Sequence, residues 1–449
     1  MKKYNFIVIG GGPGGITCAR FAKSLKPDWK VALVRKQEKS VIPCAMPYAL
    51  DETIKIEDYI KSDKKLLIDM NIDLFIEEVI SINPQKNEIT LEGGDVFSFD
   101  YLAIATGSEA FVPPIKGANL KNVFTIKDHP DILAVKETLK NVKKAVVVGA
   151  GFIGLEMVNA FSNIGIEVSL IEKEPACLPN AISKDFSSLI ENDLKQKGIK
   201  LYLGKTLKEI VGKDKAEFCL LESGEKVKAD IVILSIGVKP YTELAQKSGI
   251  EVDKYGIIVD DYLCTNFKNI YAFGDCIKKK SFITGEILPG YLATNAVVEA
   301  RYVVFNMLGY NKKFPGIINP AITKVFDYSC GVAGFSKDLA EKLNLEFVDG
   351  DVEIFSKEKS FPGAVPLKVR LLFDKKTLTL IGGEAISKDN VSWIINNIAL
   401  AILNKNTAWD LALLQFVGHP PQIDVPSKMP FVLCAISALK KSKVLKNDF

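Results

Sequence analysis

Residues 10–15 of this chain read GGGPGG, and residues 149–154 read GAGFIG. Each hexapeptide, here called a glycine fingerprint, has the pattern Gly-x-Gly-x-x-Gly, follows a short apolar run rich in β-branched residues and opens a helical pattern. In that context the first glycine permits a tight turn, the second lets the backbone approach a pyrophosphate, and the third allows close packing of helix on strand. The phosphates would rest on the helix N-terminus. Two fingerprints in matching context predict sites for two dinucleotides.

Length and composition indicate a globular protein with several domains. A chain of 449 residues exceeds what one core supports, and its 48% hydrophobic and 25% charged residues are ordinary for such proteins. Lys and Arg number 58 against 54 Asp and Glu, without a dense basic block, so we expect no nucleic-acid partner. The sequence has neither a signal-peptide cleavage pattern nor a run of about 18 apolar residues. We therefore expect a cytoplasmic protein without a membrane partner.

The cysteines and histidines argue against a metal centre. Eight cysteines are scattered without C-x-x-C pairs or zinc-type spacing, and the two histidines, His129 and His419, are far apart in the sequence. In a cytosolic chain most of these cysteines are expected to be buried thiols. The sequence thus predicts no metal site.

The order of apolar segments predicts an α/β fold with a different final module. Strand patterns at residues 30–34 and 168–172 complete a β-α-β unit after each fingerprint, and the strand patterns at 101–108 and 231–240 contain small-residue turns. In the last third, alternating segments at 367–371 and 377–381 are followed by helical patterns at about 389–404 and 431–442. We expect two nested dinucleotide-binding domains and a C-terminal α+β module.

Residues 269–276 (NIYAFGDC), together with the two fingerprints and the ATG turn at 105–107, make the chain similar to the pyridine nucleotide-disulfide oxidoreductase family over nearly its whole length. The resemblance implies two nested Rossmann-like domains, with FAD on the first fingerprint and NAD(P)H on the second. It implies an FAD-binding domain of residues 1–117 and 240–327, an NAD(P)H-binding domain of residues 118–239, and a C-terminal dimerisation domain of residues 328–449 in a homodimer.

The same resemblance assigns cofactor-binding roles. Asp275 would bind the ribityl chain of FAD, since a carboxylate at a strand's carboxyl end can accept hydrogen bonds from sugar hydroxyls. The predicted cofactor-binding residues are Gly10, Gly12, Pro13, Gly15, Arg35, Thr106, Gly107, Gly149, Gly151, Gly154, Glu172, Gly237, Gly274 and Asp275. The chain departs from the family at Arg35, which stands where an acidic residue usually binds the adenosine ribose.

Residues 43–48 (PCAMPY) indicate the branch of the family. A dithiol member would carry a second cysteine five residues from Cys44, but those positions hold Lys39 and Ala49. The chain therefore resembles the single-cysteine branch, which contains coenzyme A-disulfide reductases, persulfide or polysulfide reductases, and NADH oxidases and peroxidases. In that branch the cysteine lies against the flavin, where a thiolate attacks a disulfide or cycles through a sulfenic acid.

Two C-terminal segments also differ from the coenzyme A-disulfide reductases. Their active-site tyrosines are replaced in residues 360–363 (SFPG) and 418–421 (GHPP). His419 and Asp424 instead resemble the histidine-carboxylate pair of glutathione-reductase-like members, where the partner subunit's histidine is the acid/base. Glu156 is expected near the nicotinamide by the same resemblance.

We therefore predict an FAD enzyme that uses NAD(P)H to reduce a small disulfide, persulfide or polysulfide through Cys44, with coenzyme A-linked sulfur as the carrier. The candidate substrate contacts are Arg20, Lys23, Lys39 and Ser40. The main alternative is an NADH oxidase or peroxidase with a Cys44 sulfenic acid. An electron-transfer reductase that docks a redox protein and a redox-sensing flavoprotein are further alternatives.

Overall fold

The computed structural model describes residues 1–445. The chain forms two compact units, each built from three segments. The first unit contains Met1–Phe111, Lys127–Leu133 and Gly237–Ile317, and the second contains Val112–Ile126, Ala134–Ile236 and the chain from Ile318 onward. The first unit therefore draws on sequence from both sides of the second fingerprint.

The strands, in chain order, are β1 (Lys2–Ile9), β2 (Val31–Arg35), β3 (Ile72–Ile76), β4 (Val79–Asn83), β5 (Glu88–Leu91), β6 (Val96–Ile104), β7 (Ser108–Ala110), β8 (Val123–Phe124), β9 (Lys144–Val148), β10 (Glu167–Glu172), β11 (Lys200–Leu203), β12 (Leu207–Val211), β13 (Phe218–Leu221), β14 (Lys226–Lys228), β15 (Ile231–Leu234), β16 (Val238–Pro240), β17 (Val252–Asp253), β18 (Gly256–Ile257), β19 (Ile270–Ala272), β20 (Ala321–Val325), β21 (Tyr328–Gly334), β22 (Phe347–Phe355), β23 (Pro366–Asp374) and β24 (Leu380–Ser387).

The α-helices are α1 (Pro13–Leu25), α2 (Ile56–Tyr59), α3 (Asp63–Asp69), α4 (His129–Thr138), α5 (Phe152–Asn163), α6 (Lys184–Gln196), α7 (Glu243–Lys247), α8 (Ala293–Met307), α9 (Lys337–Lys342), α10 (Ser392–Leu403), α11 (Ala408–Ala412) and α12 (Pro430–Lys441).

The first unit is built on a parallel sheet. Strands β3, β2, β1 and β6 lie side by side in that order and run parallel, and β19 continues the parallel sheet along the second half of β6. The first half of β6 pairs antiparallel with β5, which leads to β4. The fully buried pattern of β2 is typical of parallel strands that are covered on both faces. Because parallel strands end at the same edge, the loops after β1, β2, β6 and β19 meet there.

The second unit contains another parallel sheet and an antiparallel one. Strands β11, β10, β9, β15 and β8 form the parallel sheet, whose β9 and β10 flank α5 in sequence. Strands β20, β21, β24, β23 and β22 form the antiparallel sheet, against which α10 and α12 pack. A small antiparallel sheet of β12, β13 and β14 completes this unit.

The predicted fold class is confirmed: two Rossmann-like parallel sheets are followed by an α+β segment. The C-terminal helices also occur, as Ser392–Leu403 and Pro430–Lys441. The predicted strand at 377–381 was wrong at its start. Asp374 accepts hydrogen bonds from the Lys376 and Thr377 amides and makes a turn, so β24 begins only at Leu380. The three domain bounds stay a prediction.

Candidate functional site

The two fingerprints fold into the same tight turn. Gly10 and Gly149 have φ of +114° and +102°, a region that residues with a side chain rarely adopt. A Cβ on Gly10 would lie 2.1 Å from the carbonyl oxygen of Ala105, and one on Gly149 would lie 2.4 Å from that of Ser235. At the ends of β1 and β9, therefore, only glycine allows the chain to turn beside the loop that follows the neighbouring strand.

Each turn ends at the uncapped N-terminus of a helix. Gly12 precedes α1, whose first residue is Pro13, and Gly151 precedes α5; neither helix has a side-chain cap or an acidic residue in its first turn. A Cβ on Gly12 or Gly151 would meet no atom within 4 Å, so the backbone there is open to a ligand. Exposed amides and a positive helix end suit a pyrophosphate. The residues present thus fit two dinucleotides, as predicted.

A carboxylate ends the second strand of the sheet that carries the second fingerprint. Glu172 is buried, and its two carboxylate oxygens accept hydrogen bonds from the Ala150 amide at 2.7 Å and the Glu174 amide at 2.9 Å. Ala150 lies inside the fingerprint itself. The strand end and the phosphate loop are therefore joined directly, which places Glu172 where adenosine-ribose recognition is expected.

The equivalent strand end in the first unit carries a buried ion pair. The Arg35 guanidinium binds the Asp63 carboxylate and donates to the Glu38 carbonyl oxygen at 2.8 Å, and both side chains are at least 95% buried. The Arg35 stem packs on the fingerprint, since a Cβ on Gly11 would lie 2.3 Å from its Cδ. Arg35 thus lines the predicted FAD loop, but Asp63 neutralises its charge. No sequence pattern pointed to Asp63.

The other two loops at this edge carry the predicted flavin-binding residues. The Thr106 hydroxyl donates to the Tyr241 carbonyl oxygen at 2.8 Å, which joins the loop after β6 to the segment after β16. In that first loop Gly107 has φ of +74°. Gly274, in the loop after β19, has φ of +82°, and Gly237, which directly precedes β16, has φ of +132°.

Asp275 is held by a relay that the sequence did not reveal. The Ser108 hydroxyl donates to Asp275 Oδ2 at 2.9 Å, and Lys127 Nζ donates to the Ser108 oxygen at 2.8 Å. The ammonium therefore stabilises the carboxylate through one hydroxyl. Lys127 belongs to the first unit although the residues before it belong to the second.

A buried ion pair supports the turn that contains Asp275. Lys279 Nζ donates to Glu299 Oε1 at 2.6 Å, and both side chains are at least 99% buried. Burial raises the pKa of Glu299, while the ammonium of Lys279 opposes that rise. Glu299 Oε2 also accepts a hydrogen bond from the Gly274 amide at 2.7 Å. The pair thus fixes the backbone beside the predicted ribityl contact.

Cys44 occupies a short 3₁₀ turn, Pro43–Ala45, in the first unit. All eight cysteines lie within residues 1–445, and among them Cys44 alone is exposed, whereas six are buried and Cys264 is half-buried. Burial raises the pKa of the Cys264 and Cys219 thiols to about 11 and about 12, which makes them poor nucleophiles. Accessibility therefore singles out the cysteine that the motif selected.

The predicted substrate contacts differ in their surroundings. Arg20 and Lys39 are exposed, whereas Ser40 is buried and its carbonyl oxygen accepts from the Lys61 amide. Lys23 is half-buried and its Nζ donates to a backbone oxygen, that of Trp29, at 2.7 Å. Binding of an anionic substrate by all four stays a prediction.

Glu156 and the histidine-carboxylate pair belong to the second unit. Burial raises the pKa of Glu156 to about 7, and the Thr323 hydroxyl donates to its Oε1 at 3.1 Å. His419 is exposed, while Asp424 is buried, accepts from the Val425 amide at 2.8 Å and lies 3.5 Å from Lys428 Nζ. The orientation of His419 by Asp424 stays a prediction.

The described part of the chain also bears on metal binding and membrane spanning. In residues 1–445, no group of three or more His, Cys, Asp or Glu side chains is placed to hold a metal ion. Over the same residues, no helix is long and apolar enough to cross a membrane.

Comparison with known proteins agrees with this geometry. A family model described as pyridine nucleotide-disulphide oxidoreductase matches residues 4–299. A Methanocaldococcus jannaschii protein named NADH oxidase is 32% identical over 97% of this chain and 98% of that protein. A Pyrococcus abyssi protein named NAD(P)H sulfur oxidoreductase (CoA-dependent) is 31% identical over 90% of this chain and 92% of its own length. The solved structure of an NAD-dependent persulfide reductase from A. fulgidus has a TM-score of 0.93 and 28% identity, covering 98% of this chain and 84% of that one.

Proposed function

Because this chain belongs to the pyridine nucleotide-disulphide oxidoreductase family, we propose that it reduces a small disulfide, persulfide or polysulfide, with coenzyme A-linked sulfur as the preferred carrier. The predicted family, enzyme class and cofactors are confirmed: the protein is a flavin-dependent NAD(P)H oxidoreductase. The observation that carries the proposed thiol chemistry is the exposure of Cys44 in a chain whose other cysteines are partly or wholly buried. The printed names of the P. abyssi and A. fulgidus relatives support sulfur chemistry.

The chain's own residues would hold the two cofactors at the two fingerprints. The α1 N-terminus with Gly12, the Thr106 loop and Asp275 would hold FAD, and the α5 N-terminus with Glu172 would hold NAD(P)H. When bound, FAD supplies two-electron chemistry, passing the electron pair of NAD(P)H to the sulfur centre. The domain bounds given from the sequence, including a FAD-binding part that returns at residues 240–327, belong to this proposal.

Cys44 performs the acceptor chemistry. Its thiolate attacks one sulfur of the acceptor, so that a mixed disulfide forms on Cys44 and the acceptor's sulfur–sulfur bond breaks. The departing sulfur leaves as a thiolate and takes up one proton. The hydride equivalent of NAD(P)H, two electrons and one proton, then breaks the mixed disulfide, releases the second thiol and restores the Cys44 thiolate.

His419 is the proposed source of the proton, acting from the partner subunit of a homodimer. Its exposure fits a residue that completes its site only in the assembled enzyme, and the C-terminal segment, residues 328–449, is the proposed dimerisation domain. His419→Ala should slow turnover with a disulfide about 10²-fold and leave flavin reduction by NADH nearly unchanged. Mixed dimers of Cys44→Ser and His419→Ala subunits should regain activity, because one composite site would be intact.

The M. jannaschii relative favours a second candidate function, since it is named NADH oxidase and matches 97% of this chain. In that function NADH would reduce oxygen or peroxide, and Cys44 would form a sulfenic acid by taking one oxygen atom of a peroxide while the other leaves as water. The two functions differ in the acceptor and in the oxidised form of the cysteine.

One experiment separates them. NADH oxidation is measured with coenzyme A disulfide, polysulfide, oxygen and peroxide, using the wild type, Cys44→Ser and the half-buried control Cys264→Ser. The proposal expects sulfur acceptors to be preferred, and it expects Cys44→Ser to lose roughly 10³-fold or more of that activity while keeping FAD. The control should retain its activity. Preference for oxygen or peroxide with a trapped sulfenic acid would select the second function, and full disulfide activity in Cys44→Ser would refute the thiol mechanism.

A further inference from the structure

A buried hydrogen bond joins two residues that the proposed mechanism does not use. Tyr59 ends α2 and has 0% exposure, and His129 opens α4 with 9% exposure. The Tyr59 hydroxyl lies 2.7 Å from His129 Nδ1, and the two rings meet edge to face at 67°. Both residues lie in the first unit. A polar pair this deeply buried is held in one arrangement, because an unmatched donor or acceptor there would be costly.

Tyr59 is bonded to the backbone that leads directly into the cysteine turn. Its carbonyl oxygen accepts from the Ile42 amide at 2.9 Å. The carbonyl oxygen of Ile42 in turn accepts from the Ala45 amide at 3.0 Å and closes the turn around Cys44. Only two backbone hydrogen bonds therefore separate Tyr59 from the backbone on either side of Cys44.

Residues 37–42, here called the approach segment, make two more hydrogen bonds to neighbouring parts of the chain. The Lys61 amide donates to the carbonyl oxygen of Ser40 at 2.8 Å. The Gln37 side-chain amide donates to Asp128 Oδ2 at 3.3 Å, next to His129 in sequence. The approach segment is thus hydrogen-bonded both to the Tyr59 segment and to the start of α4. The Tyr59–His129 hydrogen bond links those two elements to each other.

The surroundings keep the imidazole neutral. Burial lowers the pKa of His129, and the ammonium of Lys39, on the approach segment, lowers it further. Burial raises the pKa of Tyr59, and the negative charge of Glu57 raises it further. Asp131, on the same helix as His129, accepts hydrogen bonds from two backbone amides at the start of α4. A neutral imidazole with its proton on Nε2 can accept the Tyr59 hydrogen at Nδ1.

We propose that His129 is a positioning residue for Cys44, which its neutral ring aligns by accepting the Tyr59 hydroxyl and so fixing the segment that leads into the cysteine turn. The inference rests on the proposed function, in which Cys44 is the nucleophile. Protonation places a hydrogen on Nδ1, so the ring can only donate to the Tyr59 oxygen; the hydroxyl hydrogen then has no acceptor on His129, and the buried ring carries a charge. The Ile42–Tyr59 backbone pairing then loosens, and the acceptor half-reaction slows as pH falls.

Two conservative variants test the role. In His129→Asn the amide oxygen stands close to the place of Nδ1 and can accept the hydroxyl without titrating, and Tyr59→Phe removes only the donor. Tyr310→Phe, at a tyrosine that is 61% exposed, is the matched control. Turnover with a disulfide acceptor and flavin reduction by NADH are measured from about pH 5 to 8. Hydrogen–deuterium exchange of residues 40–46 is followed in the same range and corrected for the intrinsic pH dependence of exchange.

We expect Tyr59→Phe to lower acceptor turnover about fivefold to tenfold near pH 7.5 and to speed exchange of residues 40–46 at every pH. His129→Asn should keep near-wild-type turnover, and its residues 40–46 should exchange hydrogen as slowly as those of the wild type. The variant should retain both properties at acidic pH, where the wild type loses them. Flavin reduction and the control should not change.

An acid limb in His129→Asn equal to that of the wild type, or unchanged exchange in Tyr59→Phe, would overturn the proposal. If His129→Asn does not fold, Tyr59→Phe carries the test alone. The exchange measurement does not require Cys44 chemistry. A Cys44→Ser enzyme that stays active would therefore refute the proposed function. The alignment of residues 40–46 by His129 would still be tested by hydrogen exchange.

Discussion

Replacing Glu156 by Gln should stabilise the protein, and by more at about pH 8 than at about pH 5. Glu156 lies on α5 in the first turns after the second fingerprint, and the Thr323 hydroxyl donates to its Oε1 at 3.1 Å. Gln has the same shape as the protonated acid and offers the same oxygen to Thr323. The variant therefore removes the ionisation while it keeps the contact.

The size of the effect follows from the pKa of Glu156, which burial raises from 4.5 to about 7. Because the folded-state pKa lies above the unfolded-state value, the folded protein holds the proton more tightly. Stability is therefore lost as pH rises from about 4.5 to about 7. At about 1.4 kcal/mol per pKa unit the complete loss is about 3.5 kcal/mol, and residual solvent contact reduces it to about 2 kcal/mol. Glutamine avoids this loss.

Thermal unfolding at several pH values measures the difference. A gain of about 2 kcal/mol raises the melting temperature of a unit of this size by about 4–8 °C at pH 8, with little gain at pH 5. Glu341→Gln, at an exposed glutamate of α9 in the same unit, is the matched control and should show no such pH dependence. An equal melting-temperature shift at both pH values would refute the assignment of a raised pKa to Glu156.

We expect the enzyme to prefer NADH to NADPH because the Glu172 carboxylate repels a 2′-phosphate, and Glu172→Gln should narrow that preference about tenfold in kcat/KM; an unchanged ratio would contradict this role. Lys127→Met should weaken FAD binding about tenfold, since Asp275 would lose its charged support, and a fluorescence titration of the apoprotein that finds wild-type affinity would count against the relay. Arg35→Met should lower stability by about 3 kcal/mol by leaving Asp63 buried and unpaired, whereas the double variant Arg35→Met/Asp63→Leu should recover most of it in thermal unfolding. Equal losses in the single and double variants would show that the pair is not coupled.

The parts of the fold that followed from sequence are those governed by local geometry. Gly10 and Gly149 are recognisable because a positive φ and a carbonyl oxygen close to Cα exclude every other residue. The identity of a single residue therefore reveals the constraint. Central parallel strands such as β2 and β15 were equally readable, since burial on both faces requires unbroken apolar runs, whereas the partly exposed strands β3 and β11 were not predicted. The start of β24 was not, because a side-chain carboxylate at Asp374 turned the chain where the alternating pattern suggested a strand.

The residues that support the site were missed for a different physical reason. Lys127 reaches Ser108 across 19 positions, and Thr323 reaches Glu156 across 167. Such contacts depend on which loops the sheets bring together, and a lone lysine or threonine has no spacing that marks it. Cys44 was predictable because its neighbours formed a family motif, whereas its accessibility relative to the other cysteines required coordinates.

The two strand ends beside the fingerprints bear opposite charges, yet both lead to the same expectation for nucleotide choice. Glu172 places a carboxylate against the amide of Ala150, so a 2′-phosphate at the second fingerprint would meet a negative charge. Arg35 places a cation against the first fingerprint, but Asp63 binds its guanidinium and the pair is buried. A neutralised cation that cannot reach solvent gives a phosphate no partner, because breaking the pair would leave Asp63 uncompensated. We therefore expect neither fingerprint to favour a 2′-phosphorylated dinucleotide, even though a lone arginine at a strand end would suggest the opposite.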